Sequence, residues 1–138
     1  MNPSERQQTL VLVVDHDQAV QDEIAAVLGQ LGVACHSCLT AEAAVQLAPL
    51  LLPDLIIADV SLQGTSGVEV CAQIKQDEAL ADVPVMFLSA GQIPDIIRRH
   101  DGGKGAYYLR KPLDRRVLLQ LIEGAFAATP EAALANEP

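Results

Sequence analysis

A chain of 138 residues, half of them apolar and none of them tryptophan, is long enough to bury the core of a single domain. No apolar run approaches the roughly 18 residues that a membrane helix needs, and the opening MNPSERQQTL lacks the charged-then-apolar layout of a secretory signal, so a cytoplasmic protein without a membrane partner is expected. The net charge of −9, from 9 basic and 18 acidic side chains, argues against direct binding of nucleic acid. The charge is uneven: residues 1–97 carry 2 basic and 13 acidic side chains, whereas 98–128 carry 7 basic against 3 acidic. Three cysteines, at 35, 38 and 71, are an odd number and do not suggest a disulfide framework.

Residues 1–8 are polar and read as a flexible tail. The apolar run Leu10–Val14 predicts a buried strand that delivers Asp15-His16-Asp17 to a sheet edge. Val20, Ile24, Val27, Leu28 and Leu31 then recur at helical spacing, closed by Gly32. A weaker strand is expected over 33–39, and Thr40 can cap a helix running to Leu47, with Pro49 and Pro53 bracketing the connection. Leu55-Ile56-Ile57-Ala58 predicts a third strand, again ending in an acid, Asp59. The loop SLQGTSG leads to a helix carrying Val68, Cys71 and Ile74. A fourth strand covers 85–88 and ends at Ser89. A short helix is expected over 93–99, then a fifth strand over 106–109 that ends at Arg110-Lys111-Pro112. Asp114 caps a last helix whose apolar face is Val117, Leu118, Leu121, Ile122, Ala125 and Phe126, and 128–138 reads as a disordered tail or linker. The ordered domain is therefore expected over 9–127.

Strands that are apolar on both faces need helices on both sides. The pattern thus predicts an α/β fold: a (βα)5, doubly wound, five-stranded parallel sheet. Such sheets carry their functional residues at the carboxyl ends of the strands. Those ends are Asp15-His16-Asp17, Asp59, Ser89 and Lys111. Several carboxylates in one crevice repel unless a cation neutralises them, and an oxygen-rich site suits Mg2+. An ammonium and a hydroxyl beside it suit a phosphoryl group, so the set suggests phosphoryl transfer. Neither GxGxxG nor GxxxxGK[ST] occurs, and no glycine follows the first strand before Gly29, which disfavours a nucleotide-binding enzyme.

The ordered features are the strand ending in Asp15, the strand ending in Asp59, the loop DVSLQGTSG, the LSA of 88–90 and the KP of 111–112. On these residues the sequence resembles the receiver domain of bacterial two-component response regulators, over about residues 9–127, and the resemblance implies a flavodoxin-like fold. It further implies that Asp59 is the phosphoacceptor, receiving a phosphoryl group from a histidine kinase or phosphotransfer protein. Asp15, Asp59 and the Ser61 backbone carbonyl would hold Mg2+. Ser89, Ala90 and Lys111 would meet the phosphoryl group, Ser89 and Tyr108 would form the switch, and a cis peptide would join Lys111 to Pro112. Such a domain catalyses its own phosphorylation and dephosphorylation but is a phosphoacceptor rather than an enzyme. The region 93–116 would carry the downstream partner or the chain's own dimer contact.

One position departs from the family pattern. His16 stands where a second acid, a direct metal ligand, is expected, and imidazole suits zinc, copper or nickel better than hard Mg2+. Three readings follow: a working receiver of weakened Mg2+ affinity; a degenerate one, in which His16 pairs with Asp59 and the domain is a phosphorylation-independent interaction module; or a site rebuilt by His16 or Asp17, with a different metal. Against these stands the plainer alternative that Asp15, Asp59 and Lys111 are a structural ion-pair cluster. The CHSC of 35–38 invites a redox or zinc reading, but residues three apart on a strand point to opposite faces, so packing is expected. The basic residues Arg98, Arg99, Arg115 and Arg116 fit either a solvated face or a surface for an acidic partner.

Overall fold

The computed structural model describes residues 8–91 and 106–127. Its elements in chain order are β1 (Leu10–Val14), α1 (Gln18–Gln30), β2 (Ala34–Cys38), α2 (Ala41–Leu51), β3 (Leu55–Asp59), the two-residue strands β4 (Ser61–Leu62) and β5 (Thr65–Ser66), α3 (Gly67–Ile74), a 3-10 turn (Glu78–Leu80), β6 (Val85–Ser89), β7 (Ala106–Arg110) and α4 (Arg115–Ala127). Five strands form one sheet in the order β2-β1-β3-β6-β7, every pair parallel. The helix expected over 93–99 lies outside the described residues, as do the termini.

Alternation along the central strands explains the two layers of helices. Leu12 and Val14 of β1, Ile56 and Ala58 of β3, and Val85 and Phe87 of β6 share a buried cluster with Ala44 and Ala48 of α2 and Val70, Cys71 and Ile74 of α3. Their neighbours Val11, Val13, Leu55, Ile57, Met86 and Leu88 face the other way, onto Ile24, Val27 and Leu28 of α1 and Leu118, Ile122 and Ala125 of α4. A continuous apolar strand is thus split into two cores by its period of two. The doubly wound five-stranded sheet expected from the sequence is the one observed. Among the described residues no helix is long and apolar enough to cross a membrane.

Three local expectations are corrected. Helix α2 does not stop at Leu47 but continues through Pro49 to Leu51. Pro49 is exposed in the last turn, so the backbone bond it cannot make is lost on the solvent side, while Ala48 stays buried. The helix is closed at Leu52, whose N–H still reaches the Ala48 carbonyl at 2.8 Å while its left-handed φ of 49° turns the chain out of the helix. Val117 is exposed rather than part of the core face, because the stripe of α4 runs through Leu118, Ile122 and Ala125 at spacings of four and three. The glycine- and serine-rich loop after β3 contains a small antiparallel hairpin pairing Ser61 with Ser66 and Leu62 with Thr65, turned at Gly64 with φ 80°.

Candidate functional site

The chain passes from β1 to β2 on one side and returns to β3 on the other, so the connections leaving β1 and β3 diverge and open a crevice at their carboxyl ends. Asp59 is the last residue of β3 and Asp15 follows β1, and both are buried. Each carboxylate is fixed by a backbone donor two residues on: Asp15 Oδ1 accepts the Asp17 N–H at 2.9 Å, and Asp59 Oδ1 accepts the Ser61 N–H at 2.8 Å. These bonds aim the remaining oxygens into a shared space.

Lys111 fills part of that space. It follows β7, two strands from β3, so its side chain must cross the end of β6, roughly 10 Å of sheet at about 4.8 Å per strand. Its Nζ hydrogen-bonds Asp59 Oδ2 at 2.7 Å and lies 2.8 Å from Asp15 Oδ2. The Lys111 N–H also donates to the Ser89 carbonyl at 2.7 Å, and the Lys111–Pro112 peptide is cis. Burial pushes the ammonium's pKa down, but the adjoining Asp15 and Asp59 carboxylates outweigh it and the net shift is upward. Lys111 is therefore a firmly charged partner for both acids.

His16 behaves differently. Its side chain is 47 % exposed, and Nδ1 is 3.9 Å from both Asp15 Oδ1 and Asp59 Oδ2. That is too long for a hydrogen bond and at the outer limit of an ion pair, so the close contact with Asp59 is made by Lys111. Asp17 is exposed and serves the next helix instead, its Oδ1 accepting the Ala19 N–H at 2.9 Å as the N-cap of α1. Asp15, His16 and Asp59 place one ligand atom each within 4.8 Å of one another. Two carboxylates against one ammonium leave a negative charge that a divalent cation would neutralise, and Asp15 Oδ2, although near Lys111, accepts no aligned hydrogen bond among the described residues. The oxygens fit a divalent cation; the imidazole is the donor that does not suit Mg2+.

Ser89 ends β6, and its Oγ accepts the Gly91 N–H at 3.3 Å, with exposed Ala90 between them. Tyr108 is part-buried on β7 opposite Phe87, with ring centroids 5.7 Å apart. Tyr107 packs instead against the core on the α1 and α4 side. The CHSC thiols diverge as expected: Cys35 packs on the α1 side and Cys38 on the α2 side, both are free, and burial pushes both thiols up.

Two supporting residues escaped the sequence reading. Gln21 is buried on α1, and its Nε2 donates toward the carbonyls of Val13 (3.3 Å), Asp15 (3.1 Å) and Cys38 (2.9 Å), tying the ends of β1 and β2 together. Its position three and seven residues before Ile24 and Leu28, on the buried stripe, was the available signal. Gly67 opens α3 where a Cβ would press into the Asp59 backbone carbonyl, so only glycine lets the helix approach this closely.

The model for the response regulator receiver domain matches residues 11–123. The DNA-binding dual master transcriptional regulator RpaA of Synechocystis sp. is 34% identical over 131 residues, covering 92% of this chain and 54% of that protein. The phosphate regulon transcriptional regulatory protein PhoB of Pseudomonas aeruginosa is 32% identical over 123 residues, covering 86% and 52%. The chain thus spans about half the length of these curated relatives. Among solved structures, the Vibrio cholerae chemotaxis protein CheY4 superposes with a TM-score of 0.78 at 19% identity, over 86% of this chain and 98% of that one, a likeness of fold.

Proposed function

Because the chain belongs to the response regulator receiver domain family, we propose that it is a phosphoacceptor switch that takes a phosphoryl group on Asp59 from a histidine kinase or phosphotransfer protein. The observation that carries this reading is the buried Asp59 carboxylate, set beside Asp15 at adjacent strand ends and held by Lys111 Nζ at 2.7 Å. An Asp59 carboxylate oxygen attacks phosphorus. The P–N bond of the donor phosphohistidine breaks, its electron pair leaves with the imidazole, which takes a proton from solvent, and an acyl phosphate forms on Asp59. Lys111 stays with the oxygens as charge moves onto the phosphoryl group, which is the positioning and neutralisation such transfers depend on. A divalent cation held by Asp15, Asp59 and the Ser61 carbonyl would supply further neutralisation when bound.

Ser89 is the switch: its Oγ exchanges the Gly91 N–H for a phosphoryl oxygen, with Ala90 leaving room beside it. Tyr108 then repacks and alters the surface of 93–116, where a protein partner or a second copy docks. The reading places the receiver over 9–127, in the cytoplasm, away from membrane, with the net charge of −9 disfavouring direct contact with DNA. The expected test outcome is a mass gain of one phosphoryl group when the protein meets a small-molecule phosphoryl donor, and none for Asp59→Asn. Incorporation into Asp59→Asn, or none into the wild type under any divalent metal, sinks the reading and favours the phosphorylation-independent module.

A further inference from the structure

Resting on that reading of the crevice, we propose that Asp15, His16 and Asp59 form a divalent-metal site selective for a borderline transition-metal ion, Zn2+ being the probe, over Mg2+.

Geometry supports it first. Metal–ligand bonds of about 2.1 Å set ligand atoms about 3.0 Å apart at right angles, about 3.4 Å in a tetrahedron and about 4.2 Å in line. The 3.9 Å separations of His16 Nδ1 from Asp15 Oδ1 and Asp59 Oδ2 fall inside that span. The whole set lies within 4.8 Å and closes by shifts of roughly half an ångström, well within the swing of an exposed imidazole. Lys111 engages Oδ2 of both acids and the Asp17 N–H takes one lone pair of Asp15 Oδ1, which leaves the second lone pairs of Asp15 Oδ1 and Asp59 Oδ2 on the histidine side.

The second support is charge balance. Asp15 and Asp59 are both buried, and Lys111 Nζ, 2.8 Å and 2.7 Å from their Oδ2 atoms, sets one ammonium against two carboxylates. The excess negative charge in a buried crevice costs free energy that a bound cation recovers. The third support is donor chemistry. Mg2+ demands hard oxygen ligands and sheds water reluctantly, whereas one imidazole with two carboxylates is a donor set that zinc and its neighbours take readily. The exposed ring also leaves the ion a path in from solvent.

The deciding experiment is calorimetric titration of ZnCl2 and MgCl2 into the full chain, in a Cys35→Ser background, with His16, His16→Asp and His16→Ala compared. Position 16 is exposed, so these variants fold. The ratio of Zn2+ to Mg2+ affinity is expected to fall by about tenfold or more in both variants, the scale on which a ligand or its support alters metal affinity. In parallel, long-range proton–nitrogen spectra follow the imidazoles of the three histidines. One equivalent of Zn2+ is expected to shift His16 while His36 and His100 stay put. A smaller fall in the ratio, or a first shift at His36 or His100, overturns the proposal. Phosphoryl incorporation scored separately keeps the two readings apart. Normal incorporation with an unchanged ratio removes only the metal preference, and Zn2+ on His16 without incorporation under any metal removes only the phosphoacceptor reading.

Discussion

The molecule holds two groups of metal-ligating side chains that look alike in sequence and behave oppositely in space. Cys35, His36 and Cys38 are nearly contiguous on β2, yet the pleat sends the thiols into different cores on opposite faces of the sheet. Asp59 lies 44 residues from Asp15, yet parallel pairing of β1 with β3 brings their oxygens into one crevice with Lys111 and within reach of His16. In a doubly wound sheet, then, proximity along one strand separates ligands, while equivalent positions at the ends of adjacent strands unite them. A motif read by spacing alone would have favoured the wrong cluster.

The largest expected blow to the converging group comes from removing its cation. Lys111→Ala leaves two buried carboxylates without their shared ammonium, and a loss of about 3 kcal/mol of unfolding free energy is expected in urea titration at neutral pH. The sign with pH follows from the raised pKa of Lys111: its stabilisation is fully present below lysine's ordinary 10.5 and is lost as pH rises through the higher folded value. The gap between wild type and Lys111→Ala should therefore be flat from neutral pH upward until it narrows in strong alkali; a gap that closes between about pH 7 and about pH 9, well under the lysine range, would show that the pair contributes little.

A smaller effect is expected at the floor of the site. Gly67→Ala drives a methyl group against the Asp59 backbone, and overpacking of this kind costs about 2 kcal/mol. Since Asp59 must shift to make room, phosphoryl incorporation should slow as well. A variant with wild-type stability and rate would mean that α3 slides without disturbing the strand end. The smallest effect belongs to the diverging group. Cys35→Ser should alter stability by no more than about 0.5 kcal/mol and leave Zn2+ affinity unchanged, because no second thiol faces the same way. A tenfold loss of Zn2+ affinity there would reverse the comparison.

Much of this was legible in the residues. Leu10–Val14 and Leu55–Asp59 announced buried strands by being apolar at every position before an acid, and their ends named Asp15 and Asp59 before any coordinates did. Asp114 and Thr40 announced the starts of α4 and α2, and the observed caps accept backbone N–H groups there. The stop of α2 was misread, because Pro49 removes a single backbone bond, a loss the helix tolerates where the residue lies exposed in its last turn, and that exposure is a property of the fold. Gln21 was missed because a polar residue on an apolar stripe has no meaning until the carbonyls it must satisfy are in place.

Local periodicity and side-chain chemistry were enough to set the alternation of elements, the two-faced burial of the strands and the identity of the residues at their carboxyl ends. Which of those ends meet is a matter of packing. The strand order sets Asp15 beside Asp59, the reach across β6 lets Lys111 bind both, and the direction of one residue past β1 keeps His16 at 3.9 Å, near enough to ligate a metal and too far to hold Asp59 in place of the lysine. Such distances arise between elements remote in the chain, and no short window of sequence contains them.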